Sequence, residues 1–303
     1  MADHRCAHCP GSHTGERPCL ASATTGARSW LLIEQPGPWA ERVEATTVPG
    51  PVADVLRRAG RHGVRVQFIR APRGRRPTPP LWVYTGFSGD SAPDGRPVTP
   101  WLEGRELTRP EELAGLDLAA VAAGRPPGFG GPVADPLLLV CAHGRRNACC
   151  ARTGAPLARA LRERFGSQVW ETTHVGGDRY AANLVCLPHG LYYGDLDERR
   201  AVAAATAYRY GEVVLDRYRG RAGLPEPVQA AEHFVRAHTG ILAVGGVAVE
   251  SMVGDTAVVR AGQARYRVRV ERADLGGCGA ECSENLATYV KRDLALLNGA
   301  ALV

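Results

Sequence analysis

The chain has 303 residues and a single lysine, Lys291. Its net charge of +6 at pH 7 therefore rests almost wholly on arginine. Abundant Arg, Ala, Gly and Pro fit a GC-rich bacterial genome better than selection for a polyanion site. The arginines are scattered and alternate with acids, as in DLDERR at 195–200. No basic stripe or readable binding motif results, so nucleic acid is not an expected partner. No apolar run approaches the roughly 18 residues of a membrane span. The N-terminus, MADHRCAHCPGSH, has no apolar signal region, so secretion is not expected. The chain also lacks a readable glycine-rich nucleotide-binding motif. No regular internal repeat is readable, although two stretches share a β–α–β–β start.

What is present suits a folded core. Hydrophobic residues make up 45% of the chain and charged residues 22%, both ordinary values. That is enough apolar material to fold without disulfide staples. The length allows one large domain or two to three modest ones. With a cytoplasmic, reducing compartment expected, nine cysteines point to metal or thiol chemistry rather than disulfides.

Residues 1–28 read as a cysteine-containing leader. An N-terminal α/β unit is expected over 29–131, with a strand at 30–34 (WLLIE) and a helix at 51–62. Strands at 64–69 and 81–84 follow. A helix over 110–123, with Thr108 as its cap, completes the unit. GRPPGFGGP at 124–132 reads as a linker. A second unit over 132–225 opens with the buried strand 135–140. Its helix begins at TGAP, with Thr153 or Gly154 as cap and Pro156 in the first turn. A strand at 168–173, a hairpin over 182–193 and a helix at 198–209 follow. This β–α–β–β–β–α order matches a thioredoxin-like arrangement. The α+β region 226–303 is expected to hold a helix at 228–239, three strands and a final helix over 285–296.

Reactive side chains concentrate in VCAHGRRNACC, residues 140–150. A Cys-Cys dipeptide cannot easily aim both sulfurs at one metal, so one ligand and one bystander are expected from Cys149 and Cys150. Arg145, Arg146 and the loop amides can support a thiolate. Alternatively, Cys141 merely ends a buried strand and Cys149 packs in a core. The second stretch is THVGGDRYAAN, residues 173–183. Gly176 and Gly177 can turn the chain so that His174 and Asp178 face one centre. Imidazole is a borderline donor for iron or zinc, and carboxylate is harder. The alternative is a hydrogen-bonded histidine and an Asp178–Arg179 surface pair. Cys186, inside ANLVCLP, is expected to be buried packing.

Together these segments resemble the sucrase/ferredoxin-like family, whose domain is similar to thioredoxin-like [2Fe–2S] ferredoxins. CAHGRRNACC (141–150), HVGGDRYAANLV (174–185), LPHGLYYG (187–194) and WLLIEQPGPW (30–39) carry the resemblance, which covers roughly residues 28–200. It implies a cluster held by two cysteines and two histidines. Cys141 and Cys150, rather than Cys149, match the thiolate ligands, and His174 matches the first histidine. The sequence departs at the fourth ligand, where Asp178 stands in place of histidine. Cys278 and Cys282 in DLGGCGAEC are candidate replacements, or a pair of their own.

The resulting expectation is an iron–sulfur protein that passes electrons between a protein or small-molecule donor and acceptor. Arg145, Arg146 and Arg179 would offset cluster charge or dock an acidic partner. A cluster-free thiol–disulfide protein and a zinc-binding interaction protein are the alternatives. The usual C-x-x-C is absent after the 135–140 strand, which weakens the thiol–disulfide reading. Cys6, Cys9 and Cys19 offer a possible second metal site, for zinc, within the leader.

Overall fold

The structure is a computed structural model that describes residues 20–72, 81–274 and 287–298. The aliphatic run after Arg28 becomes β1 (Ser29–Glu34), with all six residues buried. Pro51 starts α1 (Gly50–Arg61), which buries Val52, Val55, Leu56 and Ala59 at helical spacing. Strand β2 (Arg65–Arg70) returns parallel to β1. On the other side of β1 lies β3 (Leu81–Phe87), antiparallel, followed by β4 (Trp101–Leu107).

The expected helix over 110–123 is divided. A 3₁₀ turn at Pro110–Gly115 is followed by α2 (Leu118–Ala122), with Leu116 extended between them. Asp117 causes the break, because its carboxylate caps a new helix start at Ala120 N–H, 3.0 Å away. Thr108 is not a cap; its amide and hydroxyl both donate to Glu112 at 3.0 Å. Part of the expected linker joins the sheet as β5 (Gly131–Pro132).

The second unit begins with β6 (Leu137–Cys141), buried throughout. Helix α3 (Ala148–Phe165) starts six residues earlier than a cap at Thr153 would set it. Asn147 is the cap, its side-chain oxygen accepting from Cys149 N–H at 2.8 Å. Cys149 and Cys150 therefore lie in a helical turn and not in a loop. Strand β7 (Val169–Thr172) runs parallel to β6, and β8 (Leu184–Leu187) and β9 (Leu191–Tyr193) form the hairpin. Helix α4 (Glu198–Arg209) and edge strand β10 (Tyr218–Arg221) complete the unit.

One ten-stranded sheet results, in the order β10-β9-β8-β6-β7-β2-β1-β3-β4-β5. Read outward from its centre, both halves have the same plan. A strand, a helix and a parallel strand are followed by two antiparallel strands, a helix and an edge strand. The halves meet where the ends of β2 and β7 pair antiparallel, Ile69 with Thr172 and Arg70 with Glu171. Arg70 Nε also meets the buried Glu171 carboxylate at 2.7 Å. This duplicated topology is invisible as a residue repeat. Helices cover one face of each half: Leu31 and Ile33 pack with α1, and Leu138 and Val140 with α3 and α4. The alternate residues Trp30, Leu32, Leu137 and Leu139 share one cluster as the sheet curls.

The β8–β9 turn holds a pH-sensitive group. His189 Nδ1 lies 2.8 Å from the Tyr208 hydroxyl, and burial, with Arg221 nearby, pulls its pKa down to about 4. An unfolded histidine binds its proton near 6.5, so the unfolded state gains protons first as pH falls. Stability should drop between pH 6.5 and 4, by about 3 kcal/mol in all. Urea unfolding of wild type and His189→Gln across that window checks this; equal pH slopes would refute it.

A second, four-stranded sheet runs β11 (Val247–Val253), β12 (Thr256–Ala261), β13 (Ala264–Asp274) and β14 (Ala287–Asn298). It packs on α5 (Glu226–Thr239) through Ala230, Ala231, Val235, Val259 and Val268. The expected helix over 285–296 is β14. It pairs along β13 from Arg265↔Asn298 to Asp274↔Ala287, covering an edge that would otherwise stand open. That pairing and the burial of Tyr289 outweigh the helical preference of its Leu and Ala. No helix among the described residues is long and apolar enough to cross a membrane.

Candidate metal centre

Three of the expected site residues converge. Cys141 ends β6, Cys150 lies in the first turn of α3, and His174 follows β7. Their ligand atoms all lie within 4.8 Å of one another. Both sulfurs are fully buried and His174 is half-buried. Cys150 Sγ is 4.0 Å from His174 Nδ1. The backbone holds this geometry. Cys141 N–H donates to Asn183 O, and Ala142 N–H to Thr172 O, each at 3.0 Å.

Contact between the two thiols moves them in opposite directions. The hydrogen bond with Cys150, then His174, pulls the Cys141 thiol well below its usual range despite burial. The same bond, and burial, push the Cys150 thiol up. Two cysteine sulfurs beside an imidazole are a donor set suited to a soft or borderline metal.

His143 belongs to the site, and the sequence reading passed over it. It is buried, its Nδ1 accepts from His174 N–H at 3.2 Å, and its Nε2 meets Ala40 O at 2.7 Å. The second contact fixes the proton on Nε2. Arg65 Nη2 donates to His174 O at 3.3 Å, so both backbone groups of His174 are held. The signal was a histidine two residues after Cys141; its partner Ala40, a hundred residues away, was not readable.

Other candidates fall elsewhere. Cys149 is half-buried, with Arg152 Nη2 3.2 Å from its sulfur, and stands outside the three-residue group. Asp178 also stands outside it. Its carboxylate accepts from Asn147 Nδ2, so it supports the cap of α3 and raises the Cys150 pKa through its charge. Gly176 and Gly177 make the expected turn, with φ of +96° and +70°. Arg145 and Arg146 are exposed, and Arg146 pairs with Glu41 at 3.0 Å. Arg179 lies over the Tyr180 ring at 5.4 Å. Cys186 is buried in β8, and burial pushes its thiol up. Cys6, Cys9, Cys19, Cys278 and Cys282 lie outside the described residues.

Fold and site define a mixed α/β protein with a cluster of two buried cysteines and a half-buried histidine at the ends of two parallel strands. The chain belongs to the sucrase/ferredoxin-like family, whose model matches residues 20–220. That match covers both halves of the large sheet and ends before α5 and the second sheet. A curated relative is altered inheritance of mitochondria protein 32 from Meyerozyma guilliermondii, 33% identical over 99 residues. The alignment covers 29% of this chain and 35% of the relative, so the chain spans about a third of it. No solved structure gives a significant match.

These findings correct the expected function. The relative is named for mitochondrial inheritance and not as an iron–sulfur electron-transfer protein. Iron–sulfur electron transfer as the function of this chain is therefore withdrawn.

Proposed function

We propose that the chain is a metal-binding protein whose centre is Cys141, Cys150 and His174. The observation that carries this reading is the meeting of three soft and borderline donors within 4.8 Å, both sulfurs among them buried. The cofactor proposed is the [2Fe–2S] group that the resemblance implies. The residues fit it, since thiolate and imidazole are both known donors to such clusters. When bound, it would supply a centre able to change charge by one electron. Cys141 and Cys150 would hold it by thiolate, His174 by imidazole, and His143 would keep the His174 segment in place. The second unit is also read as thioredoxin-like; the order β7-β6-β8-β9, with a parallel first pair and an antiparallel hairpin, supports that reading.

The test is anaerobic purification followed by iron, sulfide and zinc analysis and an optical spectrum. Stoichiometric metal is the expected result. A protein that stays metal-free after reconstitution would overturn the proposal. Asp178 gives a finer check. Asp178→Ala should keep its metal and lose about 1 kcal/mol through the weakened α3 cap. Loss of metal in that variant, with stability unchanged, would place Asp178 among the ligands.

A further inference from the structure

A cavity of 430 Å³ opens between α1, β2 and the turn after β6, with His174 in its wall. That volume lies in the range of small-molecule sites. Leu56, Val64 and Val66 share the lining with three arginines, Arg42, Arg65 and Arg146. Two carboxylates oppose them. Glu41 pairs with Arg146 at 3.0 Å, and Glu44 is exposed. Arg65 donates to the neutral oxygens of Thr24 and His174, and no carboxylate pairs with it among the described residues. The Arg42 side chain has no partner among the described residues.

We infer that this cavity binds a small organic carboxylate with an apolar body. The planar guanidinium fork matches a carboxylate. The apolar wall gains only if the ligand carries hydrocarbon, which inorganic phosphate lacks. The ligand would lie against His174 and between the two halves of the large sheet, since the cavity draws on α1 and β2 from one and the 143–146 and 174 positions from the other. Nothing in this inference requires a bound metal.

The test uses the full chain in metal-free form and three probes: hexanoate, hexanamide and inorganic phosphate. Calorimetry reads affinity, and histidine NMR shifts report contact at His174. Hexanoate should bind saturably, at least about tenfold more tightly than hexanamide or phosphate, and shift the His174 resonances. Val66→Trp, which fills the cavity, should abolish binding. The double variant Arg42→Gln/Arg146→Gln should weaken it about tenfold while leaving the melting temperature near that of wild type. Equal affinity for hexanoate and hexanamide, phosphate binding as tight as hexanoate, or binding unchanged in the arginine double variant would each overturn the inference. Absence of saturable binding would do the same.

Discussion

Cys141→Ser and Cys150→Ser should each lower bound metal by at least about tenfold, whereas Cys149→Ser should retain it. The contrast between adjacent residues is the informative part. Successive positions on a helix point about 100° apart, so Cys149 and Cys150 cannot share a direction in the first turn of α3. Cys150 turns inward to Cys141 and His174, while Cys149 turns toward Arg152. Serine nearly matches cysteine in size, so the fold should survive and the loss can be assigned to the donor atom. Circular dichroism melts of the three variants provide the control. Normal metal content in Cys150→Ser, with loss in Cys149→Ser, would reverse the ligand assignment.

The apolar runs were the readable part of this fold. WLLIE and LLLV become buried strands because nothing else satisfies such runs, and the period of Val52, Val55 and Leu56 marks α1. Capping competition was harder to read. Thr153, Gly154 and Pro156 look like a helix start, but Asn147 offers its side chain to Cys149 N–H first, and α3 begins there. The final strand was unreadable locally, because β14 exists to cover β13. The duplicated topology was hidden for a related reason. A plan of strands and helices can repeat while the loops differ, and the loop that carries Cys141 to Asn147 in one half is a Pro-rich turn after β1 in the other.

The site was legible where local spacing decides and illegible where distant segments meet. Cys141, Cys150 and His174 follow from the resemblance, and two strand ends plus one helix start bring them together. The spacing of His174 and Asp178 suggested a shared centre, yet the 3₁₀ turn at Asp178–Tyr180 sets the carboxylate against Asn147. His143 and the cavity both depend on the segment 40–44 lying against the turn after β6, a contact of two chain regions about a hundred residues apart. No periodicity encodes such a meeting.

Gly154→Ala should destabilise the protein by about 3 kcal/mol or more and lower its metal content. Gly154 lies inside α3, where glycine is ordinarily a weakness, so its value must come from packing. A Cβ there would fall 1.9 Å from the Cys141 carbonyl oxygen and 3.0 Å from its carbon. The obstacle is backbone, and it cannot retreat. Residues 141 and 142 donate to Asn183 and Thr172 on the flanking segments, so β6 is held from both sides. The helix must therefore move, and Cys150 moves with it, away from Cys141 and His174. Gly60→Ala on α1 is the matched control. A Cβ there meets nothing within 4 Å, so the substitution should be neutral or stabilise by about 0.5–1 kcal/mol. Urea unfolding and metal analysis of the two variants separate these effects. A Gly154→Ala protein as stable as wild type would show that α3 can shift freely on β6. Full metal content in a destabilised variant would show that Cys150 reaches the centre without the close approach of α3 to Cys141.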